Sequence, residues 1–230
     1  MIDDTATARD AVLAAALRHV PFDGWSETTL RAGIADSGIE PALARALFPR
    51  GGLDLAVAFH RQGDRKMTEA LAAADLSTLR FREKIAKAVR LRIEAIPDRE
   101  LIRRGATLFA LPQHGLTGSR LVWGTADAIW TALGDSTRDL SWYTKRATLS
   151  AVYGATVLYW LGDDSPGAEA TWAFLDRRIE DVMKIERAKA AVRDNPLAQA
   201  LREGPGRLFR NWRMPRMPDL PDDLPGRMRF

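Results

Sequence analysis

The residues able to do covalent or metal chemistry are few and badly placed for it. The chain has no cysteine, so a thiol nucleophile, a disulfide framework and a Cys-ligated zinc or iron–sulfur site are excluded. Its histidines, His19, His60 and His114, are too far apart in sequence for a local metal motif, and none belongs to H-E-x-x-H. No Glu-x-x-His pair for a di-iron bundle and no G-x-S-x-G for a hydrolase occurs. The acidic pairs Asp163-Asp164 and Asp222-Asp223 read as turn and tail residues. The expectation is a protein that is not an enzyme and carries no metal and no cofactor. Two other stretches point to recognition. In Asp139-Leu140-Ser141-Trp142-Tyr143, adjacent aromatics beside a carboxylate at a helix start cannot both face one core stripe, which is the composition of an interface hot spot. Near the C-terminus, Arg202, Arg207, Arg210 and Arg213 alternate with Leu201, Leu208, Phe209 and Trp212, a pattern suited to anionic lipid surfaces.

The elements that must position these residues are helical. Val12, Leu13, Ala16, Leu17 and Val20 recur at helical spacing until Asp23-Gly24. Ser26 as N-cap and Gly38 as left-handed stop frame a second helix near 28–36, and Pro41 opens a third that ends before Pro49. A fourth runs from Leu55 through Phe59 towards Leu71. Longer helices are expected over 79–96 and 100–111, then a turn at Gly115–Gly118, then helices over 119–133, 139–161 and, restarted by Ser165-Pro166, 171–192. No alternating run is long enough for a strand, so the fold class is all-α. From 195 onward proline recurs, and Gly204-Pro205-Gly206 interrupts the amphipathic tail. The polar, acidic start, Met1–Asp10, lacks the features of a signal peptide, and no apolar run reaches the ~20 residues of a membrane span. The expected location is cytoplasmic, with peripheral membrane association through the tail. The net charge of +4 is a mild excess.

Residues 11–60 resemble the DNA-binding end of tetracycline-repressor-type regulators. The likeness is carried by Thr29-Leu30-Arg31-Ala32-Gly33-Ile34-Ala35-Asp36-Ser37-Gly38 and by the Leu47-Phe48-Pro49-Arg50 junction. The segment in the place of a recognition helix, Pro41–Leu47, holds one arginine, no lysine and no amide side chain, and Glu40 stands at its start. Specific nucleic-acid binding needs donors aimed at bases and phosphates. A ligand-responsive transcription regulator is therefore the alternative reading, and a retained three-helix scaffold the preferred one.

The later half resembles ubiquinone-biosynthesis accessory proteins of the CoQ-nine type. The pieces are Asp127-x-x-Trp130-x-x-x-Gly134-Asp135-x-Thr137-x-Asp139, then Trp142-Tyr143-Thr144-x-Arg146-x-x-Leu149-x-x-x-Tyr153, then Asp164-Ser165-Pro166 followed by Thr171-Trp172-x-Phe174-Leu175-x-x-Arg178. The resemblance spans about residues 8–190 and implies a repressor-like bundle that has lost DNA binding. It implies an isoprenoid lipid or ubiquinone intermediate held in the effector pocket, a membrane surface, and a di-iron quinone hydroxylase as partner. Pocket candidates are Leu108, Phe109, Leu121, Val122, Trp123, Ile129, Leu149, Val152, Tyr153, Thr156, Val157 and Trp160, a set apolar enough for a buried tail. The implied docking patch is Asp127, Ile129, Asp139, Trp142 and Tyr143, with Arg146 pairing to Asp139 or Asp127 as an exposed bridge of at most ~1 kcal/mol. The implied membrane contact is Leu208, Phe209, Arg210, Trp212 and Arg213. The expected organisation is a helix-turn-helix-like unit at 1–60, a lipid-binding bundle at 61–194 and a tail at 195–230, with homodimerisation through the last two long helices.

Overall fold

The computed structural model describes residues 2–136 and 140–193, and every regular element among them is a helix. The chain divides into two compact units, Met1–Val182 and Met183–Phe230. Both hydrophobic cores lie in the first. In order, the helices are α1 (Ile2–Ala16), α2 (Val20–Asp23), α3 (Glu27–Ser37), α4 (Pro41–Leu47), α5 (Gly52–Ala73), α6 (Phe81–Glu94), α7 (Arg99–Ala110), α8 (Gly115–Ala132), α9 (Leu140–Leu161) and α10 (Glu169–Arg193).

The small N-terminal helices start and stop where their caps require. Ser26 Oγ accepts the Thr29 amide at 3.2 Å, and Gly38 ends α3 at φ 68°, a left-handed conformation that costs glycine nothing. Pro41 opens α4, and the Glu40 carboxylate caps it by accepting the Leu43 amide at 2.7 Å. α1 packs across α3 and touches α4 and α5. Val12, Leu13, Val20, Leu30, Phe48 and Leu55 are fully shielded between them. Each such side chain contributes roughly 1.5–3 kcal/mol by leaving water.

The second core is built by α5, α6, α8 and α9 with the start of α10: Met67, Val89, Ile93, Ile129, Leu149 and Leu175. α8 lies against α9 and α5, and α7 bridges the two cores through Ile102, which packs against both.

One sequence expectation is corrected here. Gly115–Gly118 is not a turn. The chain reverses earlier, at 111–114, where the Leu111 carbonyl accepts from the His114 and Gly115 amides, and α8 begins directly at Gly115. Gly118 is needed for close approach instead. A Cβ there would sit 2.8 Å from Phe109 Cβ on α7. The helix expected over 171–192 forms as α10, beginning at Glu169. A 3₁₀ turn, Pro166–Ala168, comes first, with positive φ at Gly167 and Ala168. Asp163 organises it, accepting the Ser165 amide at 2.9 Å, the Thr171 amide at 2.8 Å and the Thr171 hydroxyl at 2.5 Å. These donors, Ser165 foremost and Thr171 next, hold the Asp163 carboxyl well below the usual carboxylate range. The tail from 195, including Leu208, Phe209, Arg210, Trp212 and Arg213, lies outside the described residues, as does Asp139.

Candidate functional site

A cavity of about 380 Å³ opens between α5, α7, α8 and α9. That size falls within the range of small-molecule pockets. Each wall follows from helical spacing. Leu101, Ile102, Gly105, Ala106 and Phe109 recur on one face of α7. α9 supplies Tyr153, Gly154, Val157 and Leu158, again one face, and α8 supplies Gly118, Leu121 and Val122. α5 brings Phe59 and His60, and Trp25 closes the side towards the N-terminal helices. Trp25 is fixed there by its indole N–H, which donates to the Leu101 carbonyl at 3.0 Å, and by its ring, 5.3 Å from that of Phe59. Leu158, 67% exposed, marks the solvent side.

Behind the α5 wall lies a polar cluster. His60 Nε2 is 2.8 Å from Thr125 Oγ1, which also donates to Asp64 Oδ1 at 2.8 Å. The Arg92 guanidinium, 2% exposed, donates to Asp64 at 2.7 Å and to the His60 carbonyl at 3.0 Å, and lies over the Tyr153 ring. The Tyr153 hydroxyl completes the set through Thr125. Gly63 permits the burial of Arg92, because a Cβ there would meet its Nη1 at 2.5 Å. Burial pushes the Tyr153 phenol up. It pushes the His60 imidazole down to about 4, the Arg92 charge adding to the effect and Asp64 opposing it.

The His60 shift predicts an acid-sensitive fold. Between pH 6.5 and about 4 the unfolded chain binds a proton at His60 that the folded chain refuses, so stability must fall as the pH falls through that window. The loss approaches about 3 kcal/mol at its lower end and is absent above the ordinary imidazole range. Urea unfolding of wild type and His60→Gln at pH 7.5 and about pH 4.5 checks it. The variant is expected to lose markedly less stability on acidification.

A second feature lies on the outer faces of α8 and α9. Trp123, Trp142 and Tyr143 form an aromatic cluster, with ring centroids 5.9 Å apart for Trp123–Trp142 and 4.8 Å for Trp142–Tyr143. Tyr143 is 60% exposed and its neighbour Leu140 is exposed as well. Trp142 is half-buried, its ring 3.9 Å from the Arg146 guanidinium carbon. Arg146 in turn donates to Asp127 at 2.6 Å and to Asp135 at 3.1 Å.

The cavity gathers Phe109, Leu121, Val122, Tyr153 and Val157 from the set expected in sequence. Others face elsewhere. Leu149, Val152, Thr156 and Trp160 occupy the neighbouring face of α9, turned to the second core, where the Thr156 hydroxyl donates to the Val152 carbonyl. Ile129 is wholly buried in that core, away from both the cavity wall and the surface patch. Trp123 belongs to the aromatic cluster, and Leu108 packs on the N-terminal core. Arg146 is a further correction. It is 2% exposed and paired to Asp127 and to the buried Asp135, so it is a structural ion pair and not a solvated one. The contributions of Trp25, Phe59 and His60 were not anticipated. The amphipathic face of α7, Leu101 through Phe109, was the sequence signal that could have extended the wall.

Neither candidate contains a metal-binding group, and among the described residues no cluster of three or more His, Asp or Glu has that arrangement. On the repressor-like face, Arg45 is engaged with Glu27, and Arg50 holds Asp54 at 2.6 Å. Of the described helices, none is long and apolar enough to cross a membrane.

Comparison with known proteins places this geometry. The COQ9 family model matches residues 116–186, which include α8, α9 and the start of α10. The chain is 32% identical over 183 residues to the mitochondrial ubiquinone biosynthesis protein COQ9 of Drosophila melanogaster, covering 77% of this chain and 56% of that protein. It is 37% identical over 182 residues to COQ9-A of Xenopus laevis, covering 76% and 57%, and 31% identical over 201 residues to COQ9 of Homo sapiens, covering 84% and 62%. The chain thus spans less than two thirds of the length of these relatives, all named mitochondrial. The fold is shared with a TetR transcriptional regulator from Nitrosomonas europaea ATCC 19718, at a TM-score of 0.60, 19% identity, and coverage of 75% of this chain and 95% of that one. Through residues 116–186 and the relatives aligned along most of its length, this all-α chain with a tetracycline-repressor-like fold is similar to the COQ9 proteins of ubiquinone biosynthesis.

Proposed function

We propose that the protein is a non-catalytic accessory of ubiquinone biosynthesis that holds an isoprenoid quinone intermediate in its cavity and presents it to the di-iron quinone hydroxylase at a membrane surface. The supporting observation is the cavity itself: α7, α8 and α9 surround it with apolar and small side chains, and the α8 and α9 walls fall within the matched residues 116–186. A tail of isoprene units makes no hydrogen bonds, so such a wall receives it without leaving polar groups unpaired. The aromatic cluster of half-buried Trp123 and Trp142 with exposed Tyr143, flanked by Asp127, is the docking surface in this reading. Leu208, Phe209 and Trp212, with Arg210 and Arg213, supply apolar insertion and attraction to anionic lipid. A homodimer through the last long helices is part of the same proposal.

Gly154 offers a clean test of the cavity. It lines the wall, and a Cβ there meets nothing within 4 Å. Gly154→Leu fills the space and removes a helix-interior glycine, which favours the helix by roughly 0.5–1 kcal/mol. Binding of a decyl-substituted quinone, followed by quenching of tryptophan fluorescence, is expected to weaken by at least about tenfold with the melting temperature unchanged or raised. Equal affinity in wild type and variant contradicts lipid binding at this site.

The docking surface is tested at Tyr143 and not at Trp142. A cation in place of Trp142 would confront the buried Arg146, whereas Tyr143 faces solvent. Tyr143→Lys is expected to abolish co-purification of the hydroxylase while the melting temperature stays near that of wild type. Retained co-purification removes the patch from the proposal.

A further inference from the structure

The cavity has two unlike ends. Leu158 stands exposed at one, and Trp25, 7% exposed, closes the other. The indole is held there by its surroundings. Its N–H donates to the Leu101 carbonyl, its ring packs on Phe59, and Gly105 of α7 lies against it, a Cβ at that position falling 3.5 Å from Trp25 Nε1. The backbone is held as closely, because Gly52, at the start of α5, has no room for a side chain beside the Trp25 carbonyl. Among the described residues, Trp25 alone also lines a second hollow of about 510 Å³, whose lining includes Glu27, Arg50 and His114. Across this one residue the lining changes from apolar to polar and charged.

We infer that Trp25 is the floor of the lipid site and sets the length of apolar chain that the cavity accepts, about three isoprene units. This deepens the lipid-binding proposal and rests on it. An apolar cavity of about 150 Å³ takes one benzene ring, so by proportion one of about 380 Å³ takes about 15 carbon atoms. Up to that length, each added carbon leaves water for the apolar wall and tightens binding. Beyond it the chain meets a fixed indole and, past the indole, charged side chains that a hydrocarbon cannot pair. The remainder of a longer tail therefore stays outside, past Leu158. No Asp, Glu, Lys or Arg lines the cavity, so length and not charge is what its closed end reads.

The experiment uses geraniol, farnesol and geranylgeraniol, alcohols of two, three and four isoprene units. Each is titrated by displacement of an apolar fluorescent dye from the whole chain. The proteins are wild type, Trp25→Ala and Gly105→Leu. In wild type, farnesol is expected to bind at least about tenfold tighter than geraniol, and geranylgeraniol within about twofold of farnesol. Trp25→Ala deepens the cavity, and geranylgeraniol is expected to bind this variant at least about fivefold tighter than farnesol does. Gly105→Leu places a side chain in front of the indole, and farnesol is expected to bind it no tighter than geraniol. This second variant decides the matter if Trp25→Ala does not fold, because it replaces a helix-interior glycine whose Cβ would make only ordinary contact. Wild-type affinity that keeps climbing from farnesol to geranylgeraniol overturns the floor, as does a length profile that Gly105→Leu or a folded Trp25→Ala leaves unchanged. If none of the three alcohols displaces the dye from wild type, it is the lipid-binding reading that fails, which sets the two failures apart.

Discussion

Asp64→Ala is expected to lower the unfolding free energy by about 3–5 kcal/mol, the cost of breaking a buried ion pair from one side. Arg92 is 2% exposed and Asp64 is its carboxylate partner, at 2.7 Å. Without Asp64 the guanidinium keeps one carbonyl acceptor and no counter-ion, and Thr125 loses an acceptor as well. Urea unfolding at pH 7.5 measures the loss. The double variant Asp64→Ala/Arg92→Met is expected to recover much of it, since an apolar pair of similar volume is tolerated where an orphaned charge is not. A single variant as stable as wild type would mean that water reaches Arg92 and that the cluster behind the cavity is open.

The second large effect is expected at Arg146→Ala, a loss of about 3 kcal/mol. Two charge-assisted hydrogen bonds disappear, to Asp127 and Asp135, together with the support beneath the Trp142 ring. Asp135, 7% exposed on its side chain, keeps Lys145 at 2.7 Å, which limits the penalty. Removing Arg146 also releases Trp142 from its stacked position, so hydroxylase co-purification should weaken in the same variant. A stability change below about 1 kcal/mol would restore the view of Arg146 as a surface pair.

The helical class, most helix limits and the repressor-like fold were legible in the sequence because they rest on local signals. Ser26 and Gly38 frame α3 by capping chemistry, and Pro41 fixes the start of α4. The Gly115–Gly118 stretch misled because two glycines read as a turn, when Gly118 is there to let Phe109 of α7 approach. The cavity was only half legible for a geometric reason. α9 carries two apolar faces, Tyr153-Gly154-Val157-Leu158 and Leu149-Val152-Thr156-Trp160. Periodicity marks both as apolar, and only the packing of α7 against α9 decides which faces the hollow. His60 escaped notice because its partners, Thr125 and Arg92, come from α8 and α6, far along the chain. Arg146 looked exposed because its neighbours in sequence are polar. Its burial depends on Asp135, which lies within the α8–α9 connection.

The central claim is that the hollow between α7, α8 and α9 carries an apolar guest. Organic extraction of the freshly purified protein, followed by mass spectrometry, tests it most directly. Wild type is expected to release an isoprenoid quinone-type lipid near one equivalent per cavity, and Gly154→Leu, purified in parallel, little or none. Lipid-free wild type, or the same lipid recovered equally from both proteins, would contradict it.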